Sequence, residues 1–257
     1  MNILQNRIFH LIYRLVYISI ATAGILASWI GWFPDIHNEF YVFFTNQTNI
    51  FAVIVALLLI YSSIIDIKNK ITNKKEDRFV NLSFMTFIYL AITAIFFNVF
   101  TPNQNIFTPA FWARIQVWIL HLVSPFLFSL DFFLFSNKEK ITKFAPLETT
   151  IYPFIYSIFI IIRSLILGDV APFQESGYIR FPYPIYDYKT YGVFNVILML
   201  LAMLILSIGL AYLLRFLLLL PYKKNKDRWR CIPWYEVWKG LFTWCIYGLI
   251  FLLVYNN

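Results

Sequence analysis

The sequence predicts an all-α fold, a polytopic transmembrane helical bundle with six core spans and a seventh close to the C-terminus. Three observations predict it. Of 257 residues 60% are hydrophobic and only 13% are charged, whereas a soluble domain needs about 25% charge to cover its surface. The 21 Lys+Arg and 13 Asp+Glu are also unevenly spread. Asp66–Arg78, Lys138–Glu148 and Lys223–Lys239 hold 8, 5 and 8 of them. Between these clusters lie long uncharged stretches that are apolar on every face, such as Phe51–Ile60 and Leu198–Leu214. Runs of that kind exclude a disordered chain, a disulfide scaffold and an ordinary globular enzyme, and they lack the alternation of a membrane β-barrel.

The spans are expected at residues 15–33, 45–65, 80–100, 115–135, 149–167, 192–220 and 237–255 of a single integral membrane domain, 1–257. Each is close to the ~20 residues that cross ~30 Å of hydrocarbon. The first ends in Trp29 and Trp32, suited to an interfacial anchor, and Arg14 interrupts any reading of it as a cleaved leader. The sixth is long and must tilt or protrude before Pro221. The seventh opens with Lys239 and contains Cys245. The second cysteine, Cys231, falls in a basic loop, so a disulfide is not expected and no metal-type Cys/His spacing is present. No cofactor is implied.

With the N-terminus in the cytoplasm, fifteen basic residues lie on that side: Arg7 and Arg14, five in Asp66–Arg78, three in Lys138–Lys143 and five in Lys223–Arg230. Three lie opposite, Arg114, Arg180 and Lys189. The positive-inside rule then sets an N-in orientation in a cell membrane, and seven crossings put the C-terminus outside. The net charge of +8 reads as topology and contact with anionic lipid, with no reason to invoke nucleic acid.

Polar groups at membrane depth are costly unless they pair or line a wet cavity. They concentrate near the outer ends of the spans. Thr45, Asn46, Gln47, Thr48 and Asn49 open the second, Asn98 and Thr101 close the third, His121 lies in the fourth, Arg163 in the fifth and Asn195 in the sixth. Thr45, Thr48, Asn49, Ala52 and Ala56 share one helical face. That face fits either close helix packing with amide cross-bonds or the wall of a polar cavity. Pro125 removes the amide that an α-helix would direct at the carbonyl of residue 121, so a kink or bound polar group is expected beside His121. Arg163 must snorkel, pair with Asp169 or Asp187, or hold an anion. Near the other edge, Asp131, Arg215 and Lys239 are expected to reach water or pair with one another.

Three segments carry a resemblance: Phe44-Thr45-Asn46-Gln47-Thr48-Asn49; His121-Leu122-Val123-Ser124-Pro125 with Asp131-Phe132; and Arg163 followed by Pro182-Tyr183-Pro184-Ile185-Tyr186-Asp187. Together they resemble the bacterial Pr6Pr-type integral membrane proteins and, more distantly, the eukaryotic androgen-induced-gene and FAR-17a family. The latter are multi-pass threonine hydrolases of fatty acid esters of hydroxy fatty acids. The resemblance covers the first six spans; the seventh has no counterpart in a six-span family.

What the resemblance implies is a Thr45 nucleophile with His121 as its base. Asn46 or Asn49 would help backbone amides hold an oxyanion, with Asn98, Arg163, Tyr183 and Asp187 as further substrate-side residues. Asp131 lies too far along the fourth helix to complete a triad. The expected partners are membrane lipids and a lipid-ester or other amphiphilic ligand. Two other readings remain open: a binder or transporter of an amphiphile or anion, and a scaffold in which the polar residues only join helices.

Overall fold

The computed structural model describes residues 3–30, 40–100, 107–167 and 180–224. Thr101, Asp169, both cysteines and the expected span 237–255 lie outside these. Six of the described helices are long and apolar enough to cross a membrane. They are α1 (Arg7–Ile30), α2 (Phe44–Lys68), α3 (Val80–Phe100), α4 (Ile115–Phe135), α5 (Ala145–Leu167) and α6 (Val193–Lys224). Among the described residues the only extended pairings are two isolated bridges, Asn6 with Asn73 and Glu76 with Ser136. The chain is therefore a multi-pass helical membrane protein.

α1 to α4 form the core. Ala52, Val55, Ala56 and Leu59 of α2 pack with Phe84 and Phe87 of α3, Phe128 and Phe132 of α4, and Tyr17 and Ala21 of α1. The small residues of α2 let the helices approach closely, and the phenylalanines fill the space. α5 and α6 lie on the periphery and present large apolar side chains outward, among them Ile166, Phe194 and Leu206. Such faces are stable only with hydrocarbon as the solvent. At ~1.5 Å per residue the 32 residues of α6 span ~48 Å, more than the hydrocarbon thickness, as its length in the sequence requires. Gly192, at φ 78°, makes the turn between the short helix Tyr188–Tyr191 and α6, a backbone conformation that side chains resist.

The first span starts earlier than expected, at Arg7. Asn6 Oδ1 accepts from the Ile8 amide at 2.9 Å and starts the helix. Arg7 and Arg14 are thus helical and only 1% exposed; they are not loop charges facing lipid headgroups. Arg7 meets Asp66 at 2.6 Å and Glu76 at 2.9 Å. Arg14 grips Asp131 through Nε at 2.8 Å and Nη2 at 3.4 Å, and also reaches Glu76 at 3.3 Å. Arg78 closes the cluster on Asp66 at 2.8 Å. Asp131 is therefore buried and paired with α1, which corrects the expectation that it reaches water or pairs with Arg215. Arg215 instead donates to the carbonyls of Ile141 and Thr142.

Glu76 is the hub of this cluster. Its Oε1 accepts from Ser62 Oγ at 2.9 Å and from the Arg78 amide at 3.0 Å. Its backbone bonds Phe135 O and the Asn137 amide. The loop at 69–79 is thereby drawn under the bundle and tied to α1, α2 and the end of α4.

Candidate active site

Thr45 is the second residue of α2, whose N-cap, Phe43, supplies no side-chain bond to the first turn. The free amides at such a helix start are a ready anion site. The Tyr183 ring lies edge-on to Phe43 with centroids 6.4 Å apart, which sets its hydroxyl near Thr45 and the first amides of α2. Burial pushes the Tyr183 phenol above its ordinary value, against the opposing pull of these neighbouring polar groups. It remains protonated at neutral pH and can act as a donor.

Thr45 Oγ1 lies 3.2 Å from His121 Nε2. The other ring nitrogen, Nδ1, is 2.9 Å from the Val117 carbonyl, one turn back on α4. A carbonyl can only accept, so Nδ1 carries the proton and, in the neutral ring, Nε2 is left to accept from the Thr45 hydroxyl. Phe97 of α3 stacks on the imidazole with centroids 3.7 Å apart. Ring orientation is thus fixed by one hydrogen bond and one aromatic face. Sequence reasoning found no third member for the pair; the Val117 carbonyl occupies that place, and no side-chain pattern could have revealed it.

His121 sits within a π-helical turn, Ile119–Val123, inserted between the α-helical segments of α4. The kink expected from Pro125 takes this form, shifted by one residue. The Ser124 amide bonds Ile119 O, five residues back. In that register the carbonyl facing Pro125 is that of Leu120, not His121. Asn49 Nδ2 donates to Leu120 O at 3.1 Å and to Thr45 O at 2.9 Å.

The remaining polar residues of the α2 mouth are also engaged. Asn46 donates to Phe40 O at 2.8 Å and accepts from Ser28 of α1 at 3.2 Å. Gln47 joins the Tyr41 carbonyl to the Tyr152 hydroxyl. Thr48 meets Thr93 of α3 at 3.1 Å. With both amide hydrogens on carbonyls, Asn49 has none for an oxyanion.

Thr45, His121, Tyr183 and Asn49 are thus brought together directly. Asn98 turns back to the Ala94 carbonyl at 2.7 Å. Asp187 caps the helix Tyr188–Tyr191, accepting from the Lys189 and Thr190 amides and from Thr190 Oγ1. Arg163 is buried on α5, 8% exposed. Among the described residues no group of His, Cys, Asp and Glu is arranged to hold a metal ion.

No family model, curated protein or solved structure matches the chain.

Proposed function

We propose that this protein is an intramembrane lipid-ester hydrolase of the Thr/His type, acting on fatty acid ester substrates of the kind cleaved by the family it resembles. One observation carries the proposal: Thr45 Oγ1 stands 3.2 Å from an imidazole nitrogen whose tautomer is set by the Val117 carbonyl. That is the minimum apparatus for nucleophilic acyl transfer.

In the first half-reaction Thr45 Oγ attacks the ester carbonyl and its proton passes to His121 Nε2. The carbonyl oxygen takes the negative charge beside the Tyr183 phenol and the first amides of α2. Collapse breaks the ester C–O bond, and His121 returns the proton to the departing alkoxide. In the second, His121 takes a proton from water as the hydroxide adds to the acyl-Thr45 carbon, and the acid leaves as the proton returns to Thr45 Oγ. Ester and water enter through a polar cavity near the outer leaflet, in a cell membrane with the N-terminus cytoplasmic, as the distribution of basic loops supports.

A second reading, capture of an amphiphile or anion without chemistry, is favoured by Arg163, a guanidinium largely hidden within an apolar helix. The two are separated by ester turnover in liposomes containing the purified full chain, with p-nitrophenyl laurate as the probe. The hydrolase proposal expects release of p-nitrophenol, lowered by about 10²–10⁴-fold in both Thr45→Ala and His121→Ala. Turnover that survives Thr45→Ala unchanged would sink it. Saturable laurate binding that is lost in Arg163→Gln, with no turnover in any variant, would favour the second reading.

A further inference from the structure

A π turn in an apolar helix leaves carbonyls that must find donors, because lipid offers none. For Leu120 the problem is acute. An α-helix would give its carbonyl the Ser124 amide, but that amide is committed to Ile119 O. The π register would give it the amide of residue 125, which is proline. Neither register supplies a backbone donor. Asn49 Nδ2 supplies one from the neighbouring helix at 3.1 Å, and its other hydrogen goes to Thr45 O at 2.9 Å. One planar amide therefore joins the residue before His121 to the residue that faces it.

Two further observations fit this role. Asn49 is wholly buried and its Oδ1 has no hydrogen-bond partner. A buried acceptor left unmet is unfavourable, so the side chain contributes through its two donors. From α1, a Cβ on Gly24 would come within 2.3 Å of Ile119 Cγ2. The turn is held by a close glycine contact and an amide clamp.

We infer that Asn49 is a positioning residue that fixes the π turn of α4 and so sets the contact between Thr45 and His121. The inference rests on the proposal that these two are the reacting pair, but its test does not require turnover. The full chain, with ¹⁵N-labelled histidine, is placed in lipid nanodiscs and the His121 ring nitrogens are read by NMR, assigned by their loss in His121→Ala. The wild type should show a neutral, Nδ1-protonated ring with a hydrogen-bonded Nε2, and Thr45→Ala should move Nε2 to its unbonded position.

Asn49→Leu, which removes both donors and the unmet acceptor, should produce the same shift as Thr45→Ala. Asn49→Ser is the milder variant: its hydroxyl can still bond Thr45 O four residues back but cannot bridge to Leu120, and it should give a smaller shift in the same direction. A wild-type His121 spectrum in either folded variant overturns the inference.

Covalent labelling by an alkyl fluorophosphonate in the same samples separates this from the hydrolase proposal. There Thr45 Oγ bonds phosphorus, fluoride leaves and the proton passes to His121. The maximal labelling rate should fall about 100-fold in Asn49→Leu at unchanged half-saturating concentration. If the wild type is not labelled while the Asn49 variants still shift the His121 signal, the hydrolase proposal fails and the positioning role stands. If Asn49→Leu is labelled at the wild-type maximal rate with a wild-type spectrum, the reverse holds.

Discussion

Two polar clusters lie inside the same apolar bundle, and they are satisfied in opposite ways. At the end carrying the 69–79 loop, three guanidiniums, Arg7, Arg14 and Arg78, face three carboxylates, Asp66, Glu76 and Asp131. Every charge has its counter-charge within the chain, and hydroxyls of Ser62 and Ser63 complete the network. Around Thr45 the groups are neutral hydroxyls, an imidazole and an amide, arranged in one short chain from Val117 O through His121 to Thr45, with Tyr183 beside it. A charge-balanced cluster, bonded at every group but the buried Arg7 Nε, holds helices and has little left to offer a ligand. A neutral pair in a directed tautomer stabilises the fold little and is free to exchange a proton. The difference separates a structural clamp from the proposed reactive centre, although both are buried polar clusters in the same membrane-spanning bundle.

Removing the hub of the clamp should have the largest effect. Glu76→Gln leaves the buried Arg7 and Arg14 partly uncompensated and is expected to destabilise by about 3–5 kcal/mol, read as a large drop in thermal unfolding temperature in detergent. A loss below about 1 kcal/mol would mean that the cluster is hydrated and not a clamp. Next is Gly24→Ala, where the added methyl would overlap Ile119. Overpacking of this kind costs about 1–3 kcal/mol, and here it should also reduce ester turnover because Ile119 belongs to the π turn. Unchanged turnover together with lowered stability would show that the turn accommodates the methyl without moving His121.

Thr45→Ala should invert that pattern. It should cost only about 0.5–1.5 kcal/mol of stability while abolishing turnover. If stability fell as far as in Glu76→Gln, the two clusters would not differ in kind.

The smallest effect belongs to Asp77, on the loop beneath the clamp. Burial tends to raise its pKa, but the bonds from Lys74 at 2.6 Å and Asn137 at 2.9 Å outweigh it and leave the carboxyl below its ordinary value of 3.8. A depressed folded pKa stabilises above the unfolded value and loses that contribution as pH falls through the folded one. The stability advantage of wild type over Asp77→Asn should be constant near neutrality and shrink below pH 3.8. An advantage that persists in stronger acid would show that it does not depend on the carboxylate.

The six spans were legible because length and apolarity alone decide what crosses a bilayer. The start of α1 was not. Arg7 and Arg14 look like loop charges until Asp66, Glu76 and Asp131, contributed by two other helices and a loop, are known to converge on them, and sequence spacing does not carry that convergence. One consequence touches the charge count: Arg7, Arg14 and Arg78 are neutralised by the clamp, so the expectation of contact with anionic lipid rests on the remaining basic loop residues.

At the other end, the meeting of Thr45 and His121 followed from the similar depth of two polar positions on adjacent helices. Pro125 pointed to the distortion beside His121. Its register was hidden, since a π turn moves the bare carbonyl from residue 121 to residue 120, and the part played by Asn49 became visible only with that shift. Tyr183, expected only as a substrate-side residue, packs its ring against Phe43 at the start of α2, a contact between distant stretches of sequence.

The most direct test of the central claim is the position of covalent modification. Membranes containing the wild-type chain are treated with an alkyl fluorophosphonate, and the digested protein is sequenced by mass spectrometry. The adduct should fall on Thr45 and should be absent from His121→Ala protein that retains the wild-type unfolding temperature. An adduct elsewhere, none at all, or equally rapid modification of Thr45 without His121, would contradict the assignment of these two residues as nucleophile and base.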